Sequence, residues 1–196
     1  KHNIEFIINC IGSIKEKSFF FHSNFFLPLY IAKALNKNKN KITLIHLSSI
    51  GVNDPYGQLR TSPFVLNINE RKKLYFNNYE LSKCCADYLL KEFINKNIIT
   101  YIIQPSAILN QNSRILKKIF FLLLLFPFRL PLNSKPPITS IEKLIECFEN
   151  ILNDKSNQRI KKDHNIFTIQ VIERIPLYEL FPLYRYMFFF KIPINK

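Results

Sequence analysis

Residues 4–10, IEFIINC, form a short apolar run with β-branched members that closes at Gly12, the pattern of a buried strand. The segment SNFFLPLYIAKALNKN switches to helical spacing and predicts a helix from about Ser23 to Leu35, with Pro28 tolerated in its first turns. Residues 42–48, ITLIHLS, form a second near-continuous apolar strand, and the polar stretch from Gly51 to Asn69 looks like a loop. A helix around Tyr79 follows, with Leu81, Cys85, Tyr88 and Leu89 at core spacing. Residues 98–103, IITYII, predict a third strand closed by Pro105, and Ser113 to Phe126 is helical in pattern. KPPITSIEKLIECFENILND then predicts a loop and a helix capped near Thr139 or Ser140, with Glu142 in its first turn. NIFTIQV is a last short strand before an apolar tail rich in proline and aromatics.

Strands alternating with helices predict an α/β fold built on a parallel sheet. The strand runs are apolar throughout rather than alternating, so burial on both faces is expected. Ligands of such sheets gather at the carboxyl ends of the strands. Here those ends are Cys10 to Ser13, Ser48 to Val52 and Gln104 to Ile108. No internal repeat or low-complexity block interrupts the pattern.

Composition narrows the picture. At 196 residues the chain fits one structural unit, and three glycines are too few for a glycine-rich all-β design or phosphate loop within it. The chain starts at Lys1 directly before an apolar run and holds one methionine, Met187, so a segment upstream is expected. The net charge of +14 favours anionic partners, but lysines run along the whole chain, and no recognition motif accompanies them. Nucleic acid is therefore not an expected partner. Cys10, Cys84, Cys85 and Cys147 lack metal-ligand spacing and read as buried, reduced thiols of a cytoplasmic protein. His2, His22, His46 and His164 show no ligand spacing either, and His46 reads as a core residue; no metal is expected. The run Ile119 to Phe128 is too short for a span of about 20 residues; a buried helix is the plainer reading, with peripheral membrane contact as the other.

The chemistry centres on three side chains. Tyr79 and Lys83 are neighbours on one helix face, and Ser49 follows the second strand. A free phenol near pKa ~10 is a poor base at neutral pH, a neighbouring ammonium favours the phenolate, and a serine hydroxyl can hold the reacting oxygen. Together they can move a proton on or off a hydroxyl or carbonyl. By spacing alone, though, a solvated helix face explains Tyr79 and Lys83 as well.

The order of the motifs adds more. FIINCIGS, SNFFLPLYIAKAL with Asn24 leading, LIHLSSIGV, YELSK, IIQPSAILN and KPPITSIEKLIECFENIL follow one another as in a known family. Over residues 4 to 155 the chain resembles an extended or atypical short-chain dehydrogenase/reductase of the NAD-dependent epimerase/dehydratase type. The resemblance implies a Rossmann-type doubly wound parallel sheet, lacking its first βαβ unit, with a small C-terminal substrate lobe. Residues 1–112 would belong to the NAD(P)-binding domain and 113–196 to the substrate lobe with returning sheet segments. It implies Tyr79 as acid/base, Lys83 lowering its pKa and holding the nicotinamide ribose, and Ser49 orienting the substrate oxygen. Cys10, Ile11, Gly12, Asn24, Ser48, Pro105, Ser106 and Ala107 would line an NAD or NADP site together with Tyr79 and Lys83.

By that resemblance the substrate is a nucleotide-linked sugar or a similar hydroxyl/carbonyl compound, and a homodimer is compatible with it. The chain departs from the family pattern in several places. The glycine-rich dinucleotide turn is expected upstream of residue 4, VND replaces the usual Val-Tyr-Gly, Gln104 replaces an arginine, and Asp87 stands where glutamate is commoner. The rival expectation is a non-catalytic relative, an assembly or regulatory module of the complex I accessory kind. A third is a basic membrane-surface or RNA-binding protein, which needs Lys117, Lys118, Arg129, Lys161 and Lys162 on one face.

Overall fold

A computed structural model describes residues 4–13, 21–38, 40–53, 60, 64, 69–70, 78–109, 135–153 and 165–176. The expected helix at Ser113–Phe126, the apolar run Ile119–Phe128, the tail Phe181–Phe190 and the five basic residues of the third reading lie outside them. The chain divides into two units, one of Lys1–Pro105 with Asp154–Gln170, the other of Ser106–Asn153 with Val171–Lys196.

Strands β1 (Phe6–Asn9), β2 (Thr43–Leu47), β3 (Ile99–Pro105) and β6 (Ile166–Val171) form a four-stranded sheet in the order β1-β2-β3-β6. The β1–β2 and β2–β3 pairings are parallel, with Asn9 beside His46 and His46 beside Ile102. That is the α/β arrangement the alternating pattern predicts. Helices α1 (Leu27–Asn36) and α2 (Asn78–Phe93) pack on the face carrying Leu44 and Ile102, where Ala32, Leu35, Leu89, Leu90, Ile94 and Ile98 complete the core. Burying the leucine and isoleucine side chains contributes about 1.5–3 kcal/mol each.

A π-helical turn, His22–Phe26, leads into α1. Pro28 explains it: the ring supplies no N–H and crowds the carbonyl four residues back, and a wider turn relieves both. The Leu27 N–H accordingly bonds back to the His22 carbonyl.

On the opposite face Ile45, Ile103 and Tyr101 are buried, and Tyr101 stacks on Phe167. Strand β1 differs from the expectation of burial on both sides. Phe6 and Ile8, on that face, are 39 % and 47 % exposed, because β1 is the outermost strand among the described residues and little covers it there.

In the second unit, β4 (Ala107–Leu109) pairs parallel with β5 (Pro137–Ser140), and β7 (Glu173–Arg174) pairs antiparallel with β5. The KPPITS segment thus joins this smaller sheet rather than the four-stranded one. Helix α3 (Ile141–Asn153) follows at once, and the Ser140 hydroxyl accepts from the Lys143 N–H, the cap expected there. Ser140 also donates to Glu173, whose carboxyl is held below its ordinary range by those bonds.

The four cysteines form no disulfide. Cys84 and Cys85 are buried as expected, whereas Cys10, just past the end of β1, is exposed and Cys147, midway along α3, is half-buried. Among the described residues no cluster suits a metal ion, and no helix is long and apolar enough to cross a membrane.

Candidate functional site

Toward the carboxyl ends of the strands the helix-covered face changes from apolar to polar. Leu44 gives way to His46, Ile102 to Gln104, and Ile7 to Asn9. All three polar residues are buried, as are Ser48, Asn53, Ser82, Lys83 and Asp87 around them. Each must therefore be satisfied from within.

Most are. Asn24 on the π-helical turn is fully buried, and its Oδ1 accepts from the Ser13 N–H at 3.0 Å. Its Nδ2 donates to the Ser13 carbonyl at 3.1 Å and to the Ser82 Oγ at 3.1 Å. Ser82 in turn donates to the Tyr79 carbonyl. Asn24 therefore pins the segment after β1 to the turn of α2 that carries Tyr79 and Lys83. Gly12 fits this close approach: a Cβ there would lie 3.1 Å from the Asn24 Oδ1 and 3.2 Å from the Lys83 Nζ.

Lys83 buries its ammonium against the end of β2, where it donates to the Leu47 carbonyl at 2.9 Å. Burial pushes its pKa down, and the charge of Asp87 opposes that. Tyr79 is half-buried. Desolvation pushes its phenol up, and a hydrogen bond with the Ser49 hydroxyl pulls it back, as a serine donating to the phenolate does. Asp87 and Glu80 add to the upward shift. The net direction is upward, so burial outweighs whatever lowers it. Ser49 itself caps the 3₁₀ turn Ile50–Val52 by accepting from the Gly51 N–H at 3.2 Å.

Of the remaining expected positions, Cys10, Ile11 and Gly12 form an exposed lip after β1 beside Lys83. Ser48 faces inward and donates to the Asp87 Oδ2 at 2.9 Å, so its hydroxyl serves the interior. Pro105 ends β3 in the first unit. Ser106 and Ala107 belong to the second, where the Ser106 N–H meets the buried Thr139 hydroxyl at 2.9 Å.

A second layer escaped the motif reading. Asp87 is fully buried and accepts from Ser48 and, at 3.0 Å, from the Gln104 Nε2. Gln104 accepts from Asn53 at 2.7 Å. Asp87 and Gln104, two of the positions where the chain departs from the pattern it resembles, are thus bonded to each other. The Ile11 N–H fixes the Asn9 Oδ1, so the Asn9 Nδ2 faces the His46 Nδ1 at 3.0 Å and the His46 proton sits on Nε2. That Nε2 lies 3.9 Å from the Asp87 Oδ1, and neither atom has a hydrogen-bond partner among the described residues. Burial drives His46 down to about 3 and Asp87 up to about 6. His46 is a core residue, as expected, but a half-satisfied one. The signal was present in the sequence: one polar residue near the end of each otherwise apolar strand.

Comparison with known proteins adds the fold's relatives. No family model matches the sequence, and no curated protein matches it. Among solved structures the reductase-containing di-domain of an archaeal non-ribosomal peptide synthetase aligns with a TM-score of 0.68 and 16 % identity, over 95 % of this chain and 53 % of that one. This is the fold of the extended short-chain dehydrogenase/reductases. WbmG of Bordetella bronchiseptica, solved in complex with NAD, aligns at 0.62 and 11 % identity over 97 % of this chain and 58 % of its own. RMD of Pseudomonas aeruginosa, complexed with NADPH, aligns at 0.57 and 14 % identity over 91 % and 64 %. The chain therefore spans between half and two thirds of the length of these structures.

Proposed function

We propose that the protein is an NAD(P)-dependent oxidoreductase or epimerase/dehydratase that acts on a hydroxyl or carbonyl of a nucleotide-linked sugar. The observation that carries this reading is the convergence of the Ser49 hydroxyl and the half-buried Tyr79 phenol, close enough for the serine to lower the phenol's pKa, with the Lys83 ammonium one turn further along α2 on the Leu47 carbonyl at the end of β2. Similar structures were solved with NAD or NADPH, and one of them, MoeE5, with UDP-glucuronic acid and NAD.

The residues present fit a dinucleotide. Gly12, in the exposed segment after β1, has no side chain between it and the buried Lys83 ammonium, and the ammonium has three protons of which the Leu47 carbonyl takes one. Lys83 would hold a ribose hydroxyl, with Ile11 and Gly12 beside it. When bound, the nicotinamide accepts or supplies a hydride. The chain's own part is proton handling. Ser49 orients the substrate oxygen, the Tyr79 phenol gives or takes its proton, and the Asn24 bonds keep strand end and helix in register. A phenol held above its usual value favours the protonated form, so Tyr79 is set as the acid in the reducing direction.

The test is to titrate the full-length gene product with NADH and NADPH, following nicotinamide fluorescence, and then to assay UDP-sugars. Dinucleotide binding that weakens in Lys83→Met, with turnover lost but binding kept in Tyr79→Phe, supports the proposal. Binding with turnover equal in wild type and Tyr79→Phe sinks it. A non-catalytic binding module is the second reading, favoured by the upward shift of Tyr79 and the tie between Lys83 and Leu47. It predicts binding and no turnover of any UDP-sugar.

A further inference from the structure

Asp87 sits one turn beyond Lys83 on α2 and two turns beyond Tyr79, with its carboxyl sealed from solvent. Its Oδ2 takes two hydrogen bonds, from Ser48 and Gln104, and its Oδ1 faces the His46 Nε2 across 3.9 Å. A carboxyl is an expensive group to bury, and the bonds it accepts stabilise its ionised form only in part. Its placement has two consequences for the acid/base set. Ser48 immediately precedes Ser49, so the Ser48–Asp87 bond ties the strand end that presents Ser49 to the helix that presents Tyr79. Lys83 is itself 4 % exposed, and a buried ammonium needs an anion near it to stay charged.

We propose that Asp87 is a positioning residue for the Ser49–Tyr79–Lys83 set, acting through the Lys83 ammonium and through the Ser48 hydroxyl. The inference rests on reading those three residues as an acid/base set. It adds a residue to the Ser49–Tyr79–Lys83 set, and it gives the Asp87–Gln104 pair a purpose. Gln104, itself held by Asn53, orients the carboxylate without neutralising it, so the negative charge remains available to Lys83. An arginine at 104 would compete with Lys83 for the same anion.

The titratable groups that bear on Asp87 are His46 from β2 and Tyr79, Lys83 and Lys91 from α2; Cys10, after β1, bears on Lys83. Asp87 opposes the desolvation of Lys83, and its own ionisation lies at about 6. The support that Lys83 receives therefore switches on as the pH rises through that value.

The experiment is a pH titration of the Lys83 Cε resonance in ¹³C-labelled full-length protein, assigned with Lys83→Met, with no dinucleotide or substrate added. In wild type the curve carries a second inflection at the pH where the Asp87 Cγ titrates. In Asp87→Asn that inflection vanishes and the main midpoint moves to lower pH, raising the neutral amine fraction at pH 8 by about threefold or more. Asp87→Glu, which keeps the charge, restores the inflection; a merely structural role would not separate these two variants. A Lys83 midpoint unchanged in Asp87→Asn overturns the proposal. Should Asp87→Asn fail to fold, the wild-type curve decides alone, and a Lys83 trace without the inflection overturns it. Failure of dinucleotide binding leaves this titration intact, and a flat Lys83 response leaves dinucleotide binding intact, so the two readings fail separately.

Discussion

The buried His46–Asp87 pair predicts opposite pH slopes in two single variants. Asp87 ionises at about 6 in the folded protein against 3.8 when exposed, so the folded state holds the proton longer. Stability from that group is present below pH 3.8 and is lost as the pH rises through 6. His46 has the reverse sign: 6.5 when exposed and about 3 when folded, so its contribution is present above 6.5 and lost as the pH falls through 3. Between about pH 4 and 6 the unfolded chain carries the proton on His46 and the folded protein carries it on Asp87. The two slopes, each about 1.4 kcal/mol per pH unit, then cancel in wild type. Asp87→Asn unmasks the histidine: relative to wild type it gains about 3 kcal/mol between pH 4 and 7. His46→Gln unmasks the carboxyl and loses stability with rising pH across the same window. The assay is urea unfolding at half-unit pH steps, read as difference curves so that the other carboxylates drop out. The intercepts carry the cost of disturbing a buried site; the slopes carry the prediction. Difference curves that are flat for both variants would mean that neither group is desolvated, and the reasoning would fall.

Other consequences follow from the same geometry. Asn24→Ala strands the Ser13 amide and carbonyl and removes the donor to the Ser82 hydroxyl, and should cost about 2–4 kcal/mol in chemical denaturation. Ser82→Ala should cost about 1 kcal/mol alone and almost nothing once Asn24 is gone, a non-additivity that a double-mutant cycle measures. Gly12→Ala places a methyl 3.1–3.2 Å from the Asn24 and Lys83 side-chain ends, and should lower stability by about 1 kcal/mol, visible as a fall in Tm. Ser49→Ala removes the donor that stabilises the Tyr79 phenolate, so the alkaline absorbance titration of Tyr79, assigned by its loss in Tyr79→Phe, should move to higher pH. Gln104→Arg restores the commoner residue yet leaves the Asn53 Nδ2 without its acceptor; it should destabilise by about 1–3 kcal/mol at pH 4, with a smaller deficit at pH 7 where Asp87 is ionised.

Much of the fold was legible because its signals are local. Apolar runs of β-branched residues announced β1, β2 and β3, and Ser140 with Glu142 announced the start of α3. The π-helical turn was not legible, since Pro28 shows only that something in the first turns must yield. The partner of KPPITS was equally hidden, because strand pairing depends on contacts between distant residues. At the site, the spacing of Tyr79 and Lys83 could not separate chemistry from a solvated face. What separates them is burial: Lys83 lies 4 % exposed with its ammonium on the Leu47 carbonyl, which no solvated lysine requires. The links among Asn9, His46, Asp87 and Gln104 join residues up to 41 positions apart in the chain and emerge only once the strands are in register.

Asp87 and Gln104 stand where the resemblance implies glutamate and arginine, and how well they fit each other bears on whether the site is intact. Random loss would be expected to leave unmatched groups, such as a buried guanidinium facing nothing or a carboxylate without donors, each costing several kcal/mol. Instead the shorter carboxylate meets the shorter, neutral amide at 3.0 Å, and Asn53 meets the amide oxygen at 2.7 Å. Arginine at 104 would take the carboxylate from Lys83 and strand Asn53, and a longer acid at 87 would crowd the gap that His46 already half fills. The pair is therefore a matched one, and it leaves a carboxylate that bears on Lys83 rather than on an arginine. In that arrangement the charge state of Lys83 depends on a group ionising near pH 6, and the lysine's hold on any anionic or hydroxyl ligand inherits the same dependence.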